Sequence, residues 1–430
     1  MLALSGFFAV PFLGFLPAFP ARILCLQDAP ARPCALRRTK QPEAGGLLQS
    51  THRTHALACY ALSQSALPLA QRLATCLAAS PWSLPRQPLW QTQENNSADI
   101  SRVQLFTPAR FCPAEATAFD KIGPLLAQTF PRFAAHAFIG ATGIAVRALA
   151  PLLKHKSTDA PVLVLDPAGQ FVISLLAGHW GGGNELSRHV AALLQAAPVI
   201  TTASDSTPTP PIALDLLLRD AGLLPVDWKR LPAAQAALLE GSQLHLWDPC
   251  HAVPDQPGLL RMAVAETDTQ PPAHAGQLVA AHWRRLEPQP ATLRVAVPRL
   301  VLGLGCRKDV PADMVMDAVH NLLEQHQLEP LALAALATVH DKLQEPALLA
   351  LAESLHLPLR GFAASDLARC PTPNPSAAAG KRFEQPPFRV CEAAALLGAS
   401  QIFPAGTPCL LLPKTTVLGQ LTMSVALARP

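Results

Sequence analysis

The chain has 430 residues, half of them apolar and 15% charged, enough for two or three ordinary domains and too apolar for global disorder. Its formal charge of +4 is local, because residues 1–54 hold six Lys/Arg against two Asp/Glu and the remainder holds 28 of each. A neutral body with one tyrosine and 5% aromatic residues excludes bulk attraction to nucleic acid and a base-stacking platform.

Met1 to Pro20 is apolar but lacks a basic leading region and carries Pro11, Pro17 and Pro20, so it is weak as a secretion signal and marginal as a membrane span. Residues 21–54 are polar and without period. We read 1–54 as an extension or a misassigned upstream start, and expect a cytoplasmic protein with no stable membrane association. Ala56 to Leu62 predicts a strand. Leu67 to Leu77 predicts a helix with Leu67, Ala70, Leu73, Ala74 and Leu77 on one face and Pro68 in its first turn. Residues 80–97 read as loop, and Leu125 to Phe133 as a weak helix.

From His136 to Asp205 apolar runs alternate with glycine clusters. Ala137-Phe138-Ile139 is a strand, Gly140-Ala141-Thr142-Gly143 the turn after it, and Ile144 to Leu153 a helix. Val162 to Leu165 and Phe171 to Leu176 are strands separated by the turn signal Pro167-Ala168-Gly169. Then comes Ala177-Gly178-His179-Trp180-Gly181-Gly182-Gly183-Asn184-Glu185, which opens a helix. Its glycines permit close backbone approach or positive φ, and the helix start offers N–H groups to an anion. His179 lies between glycines rather than on an apolar helical face.

Beyond Ser206 the pattern weakens. Asp215 to Ala221 and Ala233 to Leu239 predict helices, and 248–275 has no clear period. A second α/β unit starts at Leu300: strand Leu300-Val301-Leu302, the turn Gly303-Leu304-Gly305-Cys306-Arg307-Lys308, and a helix from Pro311 to His326 with Val315, Ala318, Val319 and Leu322 inward. Ala332 to Val339 and Leu357 to Leu359 are strands, Glu345 to Leu355 and Val390 to Gly398 helices, and Cys409 to Leu412 and Leu421 to Ala428 closing strands. The fold class is α/β: two domains with largely parallel sheets, 55–205 and 298–430, joined by a variable central region at 206–297. Such sheets bind ligands at the carboxyl ends of their strands.

FIGATGIAVRALAPLL, Lys156-x-x-Asp159, FVISLLAGHWGGGNELSRHVA and PVITTASD recur in the order found in the amino-terminal half of the CbiG family, which this chain resembles. GLGCRK at 303–308, Lys342-x-x-Glu345-Pro346, Pro373-Asn374-Pro375-Ser376, CEAAAL from Cys391, and Lys414 resemble the carboxy-terminal half. The family often has Gly after the Cys-Arg-x element, where this chain has Asp309, so a different turn is expected there. The resemblance implies a cobalamin-biosynthesis enzyme that opens the δ-lactone of cobalt-precorrin-5A and releases acetaldehyde, with other enzymes of that pathway as partners. It implies no cofactor beyond the cobalt that the tetrapyrrole substrate carries.

Such a reaction needs donors for carboxylates, a proton-transfer group, and hydrogen bonds to the lactone oxygen. His179 is the candidate for proton transfer, since an imidazole titrates near ~6.5, with Glu185 as its partner or as a first-turn complement to the helix dipole. Candidate substrate contacts are Gly140, Thr142, Gly143 and Arg147 in the first glycine stretch and Gly178, Gly181, Gly182 and Asn184 in the second. In the carboxy-terminal unit they are Gly303, Gly305, Cys306, Arg307 and Lys308, then Lys342, Glu345, Asn374, Ser376 and Lys414. A solvated ion pair is the plain alternative for Lys342 and Glu345, and a rigid turn for Asn374 and Ser376. The two glycine stretches 178–183 and 303–308 are expected to face one cleft. A non-catalytic corrinoid-binding or handover protein is the second reading. A dinucleotide fold fails on sequence, since Lys308 stands where G-x-G-x-x-G needs its last glycine. No P-loop, H-E-x-x-H or G-x-S-x-G is present, and the ten cysteines lack C-x-x-C spacing, so reduced thiols and no resident metal are expected.

Overall fold

The computed structural model describes residues 54–83, 99–202, 212–373 and 375–429. The extension read at 1–54 therefore lies outside the described residues, save for Thr54.

Three sheets carry the core. The first has seven strands, in the order Thr117–Phe119, Arg102–Pro108, Thr54–Ala61, Phe133–Ile139, Val162–Leu165, Phe171–Leu176, Ala197–Val199. Phe133–Ile139 is buried at every position, as expected of a central strand covered on both faces. Ala135, Ala137 and Ile139 pack with Leu69, Leu73, Leu186 and Val190 of helices Leu67–Ala79 and Gly183–Leu194. Phe138 packs on the other face with Leu126, Ala145 and Leu149. In the helix expected after Gly143, Ala145 and Leu149 are buried and Ala148 packs against the same core, whereas Ile144 is exposed.

The first five strands of this sheet run parallel. Phe171–Leu176 then reverses, pairing antiparallel with Val162–Leu165, because only a short turn joins them. Asp166 builds that turn, its carboxylate accepting from the N–H groups of Ala168 and Phe171 at 3.1 and 2.7 Å, with Gly169 at φ +70°. This reversal sets where the site lies.

The central region is not a mere connection. It carries its own five-stranded sheet, ordered Leu224–Pro225, Thr292–Ala296, Leu278–His282, Leu244–Trp247, Leu259–Arg261, parallel except for the Leu224–Pro225 edge. Leu214, Leu218, Leu238, Leu246, Val279 and Val295 form its core. Trp180 packs onto this core from the first unit, while Trp283 reaches the core of the carboxy-terminal unit. Arg299 also donates to the carbonyl of Cys250 at 2.9 Å.

The third sheet runs Leu359–Phe362, Leu333–Val339, Leu300–Cys306, Leu421–Leu427, Cys409–Val417. Its first three strands are parallel and the last two antiparallel. Here the expected turn Gly303-Leu304-Gly305-Cys306 is corrected: these residues are the second half of the strand. Helix Val390–Ile402 presses on that strand so closely that a Cβ on Gly303 would lie 1.9 Å from the Cys391 carbonyl oxygen. Among the described residues no helix is long and apolar enough to cross a membrane, and the described cysteines are free thiols.

Candidate active site

The reversed strand Phe171–Leu176 delivers Ala177–Gly182 to the end of the first sheet where Val162 starts its strand, paired with His136 on one side and Leu176 on the other. There the loop closes on itself. Gly183 N–H donates to the Ala177 carbonyl at 3.0 Å, Asn184 N–H to Gly178 at 2.9 Å, and Gly182 N–H to His179 at 3.0 Å. The amides of Gly183 and Asn184, expected to seat a carboxylate, are thus used within the loop. The glycines are needed for the same closure. A Cβ on Gly178 would meet Asn184 Oδ1 at 2.6 Å, and one on Gly183 would meet the Leu176 carbonyl at 2.8 Å. Gly182 stands at φ +78°. Asn184 is buried and donates to Thr202 Oγ1 at 2.8 Å, tying the loop to the segment after Ala197–Val199.

His179 is held by two residues of one helix, Leu214–Asp220. Its Nδ1 lies 3.1 Å from both carboxylate oxygens of Asp215. Its backbone carbonyl accepts from Arg219 Nη1, one helical turn on. The imidazole is 11% exposed and the Asp215 side chain 21%, so solvent weakens the contact little. Burial pushes the Asp215 carboxyl up, but the hydrogen bond and charge of His179, the Leu216 N–H and the charge of Lys156 outweigh it and leave it below the usual carboxylate range. Glu185 is not the partner of His179. Its Oε1 accepts from Arg219 Nη2 at 2.9 Å, and its Oε2 is buried with no hydrogen-bond partner among the described residues. Burial opposes the charge of Arg219, and the Asp220 and Glu185 carboxylates more than restore it.

Aromatic rings flank this arrangement. Trp180 and Trp228 meet edge to face with centroids 4.8 Å apart, His155 meets Trp228 at 5.4 Å, and the ammonium of Lys156 sits 5.6 Å above the Trp228 ring. Asp215, Arg219 and Trp228 were missed as site residues. The available signal was the spacing of Asp215 and Arg219, four apart and so on one face of a helix.

The other glycine stretch is elsewhere. Gly140 follows Ile139, which pairs with Leu165 beside Val172, so it lies at the opposite end of the sheet from Gly178. Thr142 and Gly143 are already helical, and the exposed Arg147 turns back to donate to the Gly143 carbonyl at 3.1 Å. These four residues and the His179 loop are not brought together.

In the carboxy-terminal unit, Gly303 and Gly305 serve packing rather than a turn. The missing side chain of Gly305 leaves room for Thr422 Oγ1, which donates to the Gly305 carbonyl at 3.0 Å. The helix expected from Pro311 begins at Ala312, so Cys306 does not abut a helix N-terminus. Cys306 is a buried thiol, pushed up by burial despite the nearby Lys342. Arg307 and Lys308 are exposed. Lys342 and Glu345 are a buried ion pair at 2.7 Å rather than a solvated one, and the second Glu345 oxygen accepts from Asp309 N–H at 2.8 Å. Asp309 adopts φ +58°, the left-handed conformation that glycine favours. Ser376 forms an isolated bridge to Phe388, Lys414 N–H donates to the buried Glu392, and Asn374 lies outside the described residues. Among the described residues no group of three His, Cys, Asp or Glu side chains is gathered as a metal site.

Against known proteins, residues 124–205 match the family model Cobalamin synthesis G N-terminal, and residues 300–426 match Cobalamin synthesis G C-terminus. A cobalt-precorrin-5A hydrolase of Salmonella typhimurium is 37% identical over 244 residues, 56% of this chain and 69% of that protein. One from Priestia megaterium is 34% identical over 241 residues, 53% of this chain and 63% of that protein. The solved structure of a cobalamin biosynthesis protein G homolog from Sulfolobus solfataricus is 16% identical, with a TM-score of 0.33, covering 87% of this chain and 98% of its own. With both family regions present in order around the His179 loop and the buried Lys342–Glu345 pair, this chain belongs to the cobalamin synthesis G (CbiG) family.

Proposed function

We propose that this protein is a cobalt-precorrin-5A hydrolase of cobalamin biosynthesis, opening the substrate's δ-lactone and releasing acetaldehyde to give cobalt-precorrin-5B, with no cofactor of its own. The matched relatives carry that activity in their names. The observation that carries the chemistry is an imidazole, His179, presented on a self-closed loop and hydrogen-bonded to a carboxylate.

Both halves of the reaction move protons. Water that adds to the lactone carbonyl gives up a proton as the ring C–O bond breaks. The hydroxyl so freed gives up another as its carbon–carbon bond to the macrocycle breaks, the electron pair stays with the macrocycle, and acetaldehyde leaves. A neutral imidazole accepts a proton at either point, and its conjugate acid returns one. With Nδ1 donating to Asp215, the ring nitrogen that exchanges protons with substrate is Nε2; this assigns the tautomer from the hydrogen bond. Lys156, whose charge already acts on Asp215, is a cation at this end of the sheet for a substrate carboxylate. The flat faces and edges of Trp180 and Trp228 suit a macrocycle.

Purified protein mixed with cobalt-precorrin-5A is expected to release acetaldehyde, and His179→Ala to lower the rate by about 10²–10⁴-fold. A folded wild-type protein that binds the substrate tightly without releasing acetaldehyde would instead be a carrier of corrinoid intermediates.

A further inference from the structure

We infer that Asp215 is a positioning residue for His179, so that the segment between the two family regions completes the catalytic site. The inference rests on the hydrolase reading and deepens it. The family regions end at 205 and resume at 300, and Asp215 lies between them. Its carboxylate is nonetheless the partner of the loop imidazole, equidistant at 3.1 Å through both oxygens.

The helix carrying it is fixed from both sides. Leu214 and Leu218 are fully buried in the central core, and Leu214 N–H is capped by Gln235 Oε1 at 2.7 Å. On its other face Arg219 grips the carbonyl of His179 and the carboxylate of Glu185. One short helix thereby holds the side chain and the backbone of the same histidine. Trp180, the next residue, packs on the central core and on Trp228. Any shift of the central unit against the first sheet would move the imidazole.

Asp215 acts in two ways. It fixes the ring's rotation and keeps the proton on Nδ1, and it stabilises the imidazolium formed when Nε2 takes a proton. Among the described residues, charged groups near the imidazole include Asp215, Arg219 and Asp220 from the central helix, Glu185 from the loop helix, and Lys156 from the segment before Val162–Leu165. Asp215 meets the ring itself, at Nδ1.

The test uses the full chain with Asp215→Asn and Asp215→Glu, read by two independent measurements. The first is the imidazole NMR titration of His179, assigned against His179→Gln, which needs no turnover. The second is kcat, KM and their pH profile with cobalt-precorrin-5A. Removing the carboxylate should move the His179 titration, and the acidic limb of kcat, to lower pH. It should also lower kcat by about 10²-fold or more with KM nearly unchanged. Asp215→Glu should recover part of both. Should Asp215→Asn fail to fold, Asp215→Glu decides: an altered His179 titration and kcat support the role, and wild-type values for both refute it. A folded Asp215→Asn protein with the wild-type titration and pH profile overturns the inference. A wild-type protein without acetaldehyde release removes the hydrolase reading alone, because the titration still reports whether Asp215 governs His179.

Discussion

The N–H of Gly183 donates to the carbonyl of Ala177 across 3.0 Å, closing the loop that bears His179 before the helix begins. Gly181 fills the inside of that closure. A Cβ there would lie 2.6 Å from Ala177 Cβ and 2.9 Å from its carbonyl oxygen. Gly181→Ala is therefore expected to cost about 1–3 kcal/mol in denaturant unfolding and to depress turnover by displacing the imidazole. Unchanged stability together with unchanged turnover would show that the loop has slack.

Asp309 offers the opposite change. Its φ of +58° is strained for a residue with a Cβ, and its hydrogen bond to Glu345 uses the backbone N–H, which glycine retains. Asp309→Gly should leave stability equal or raise it by up to about 1 kcal/mol, and Asp309→Val should lower it. The comparison is made by thermal and denaturant melts of the two variants side by side.

Lys342 and Glu345 form a buried pair whose partners depend on each other. Burial raises the Glu345 carboxyl, but Lys342, the Asp309 N–H and the charge of Lys308 hold it below the usual 4.5. A carboxylate depressed in the folded state contributes stability above its unfolded value, and this contribution is lost as pH falls below 4.5 toward the folded value. Lys342→Met, which strands the carboxylate, should cost about 3–5 kcal/mol near neutral pH, with a smaller deficit in acid. Urea melts at a series of pH values would refute this if the deficit were constant.

Gly303 is predicted to tolerate no side chain. A Cβ would sit 1.9 Å from the Cys391 carbonyl oxygen, and backbone cannot swing aside as a side chain can. Gly303→Ala should exceed the about 1–3 kcal/mol usual for overpacking. At Gly398, where the obstacle is Val301 Cγ1 at 2.8 Å, the same change should cost less. Equal melting points for the two variants would contradict the close contact at Gly303.

Much of the scaffold was legible because its elements obey simple periods. The helix Leu67–Ala79, the inward face of Ala312–Gln325 and the strand runs Val162–Leu165 and Phe171–Leu176 were all readable from apolar spacing. The central sheet was not, because its strands are only two to five residues long and are separated by irregular chain. Gly303 and Gly305 were misread because a glycine that admits a neighbouring helix and a glycine that makes a turn are the same letter. The strand reversal at Asp166–Gln170 could have been inferred, since so short a connection cannot join parallel neighbours.

By itself the sequence determined the family, the α/β class and the histidine-bearing glycine loop, since ordered motifs and local periodicity are properties of the chain. Tertiary structure alone decided which carboxylate meets His179, that Glu185 goes to Arg219, and that the Gly140 and Gly178 stretches occupy opposite ends of one sheet. Those outcomes follow from strand direction and from the docking of the central helix. Residues 36 positions apart become neighbours only when the packing of their apolar faces brings them together.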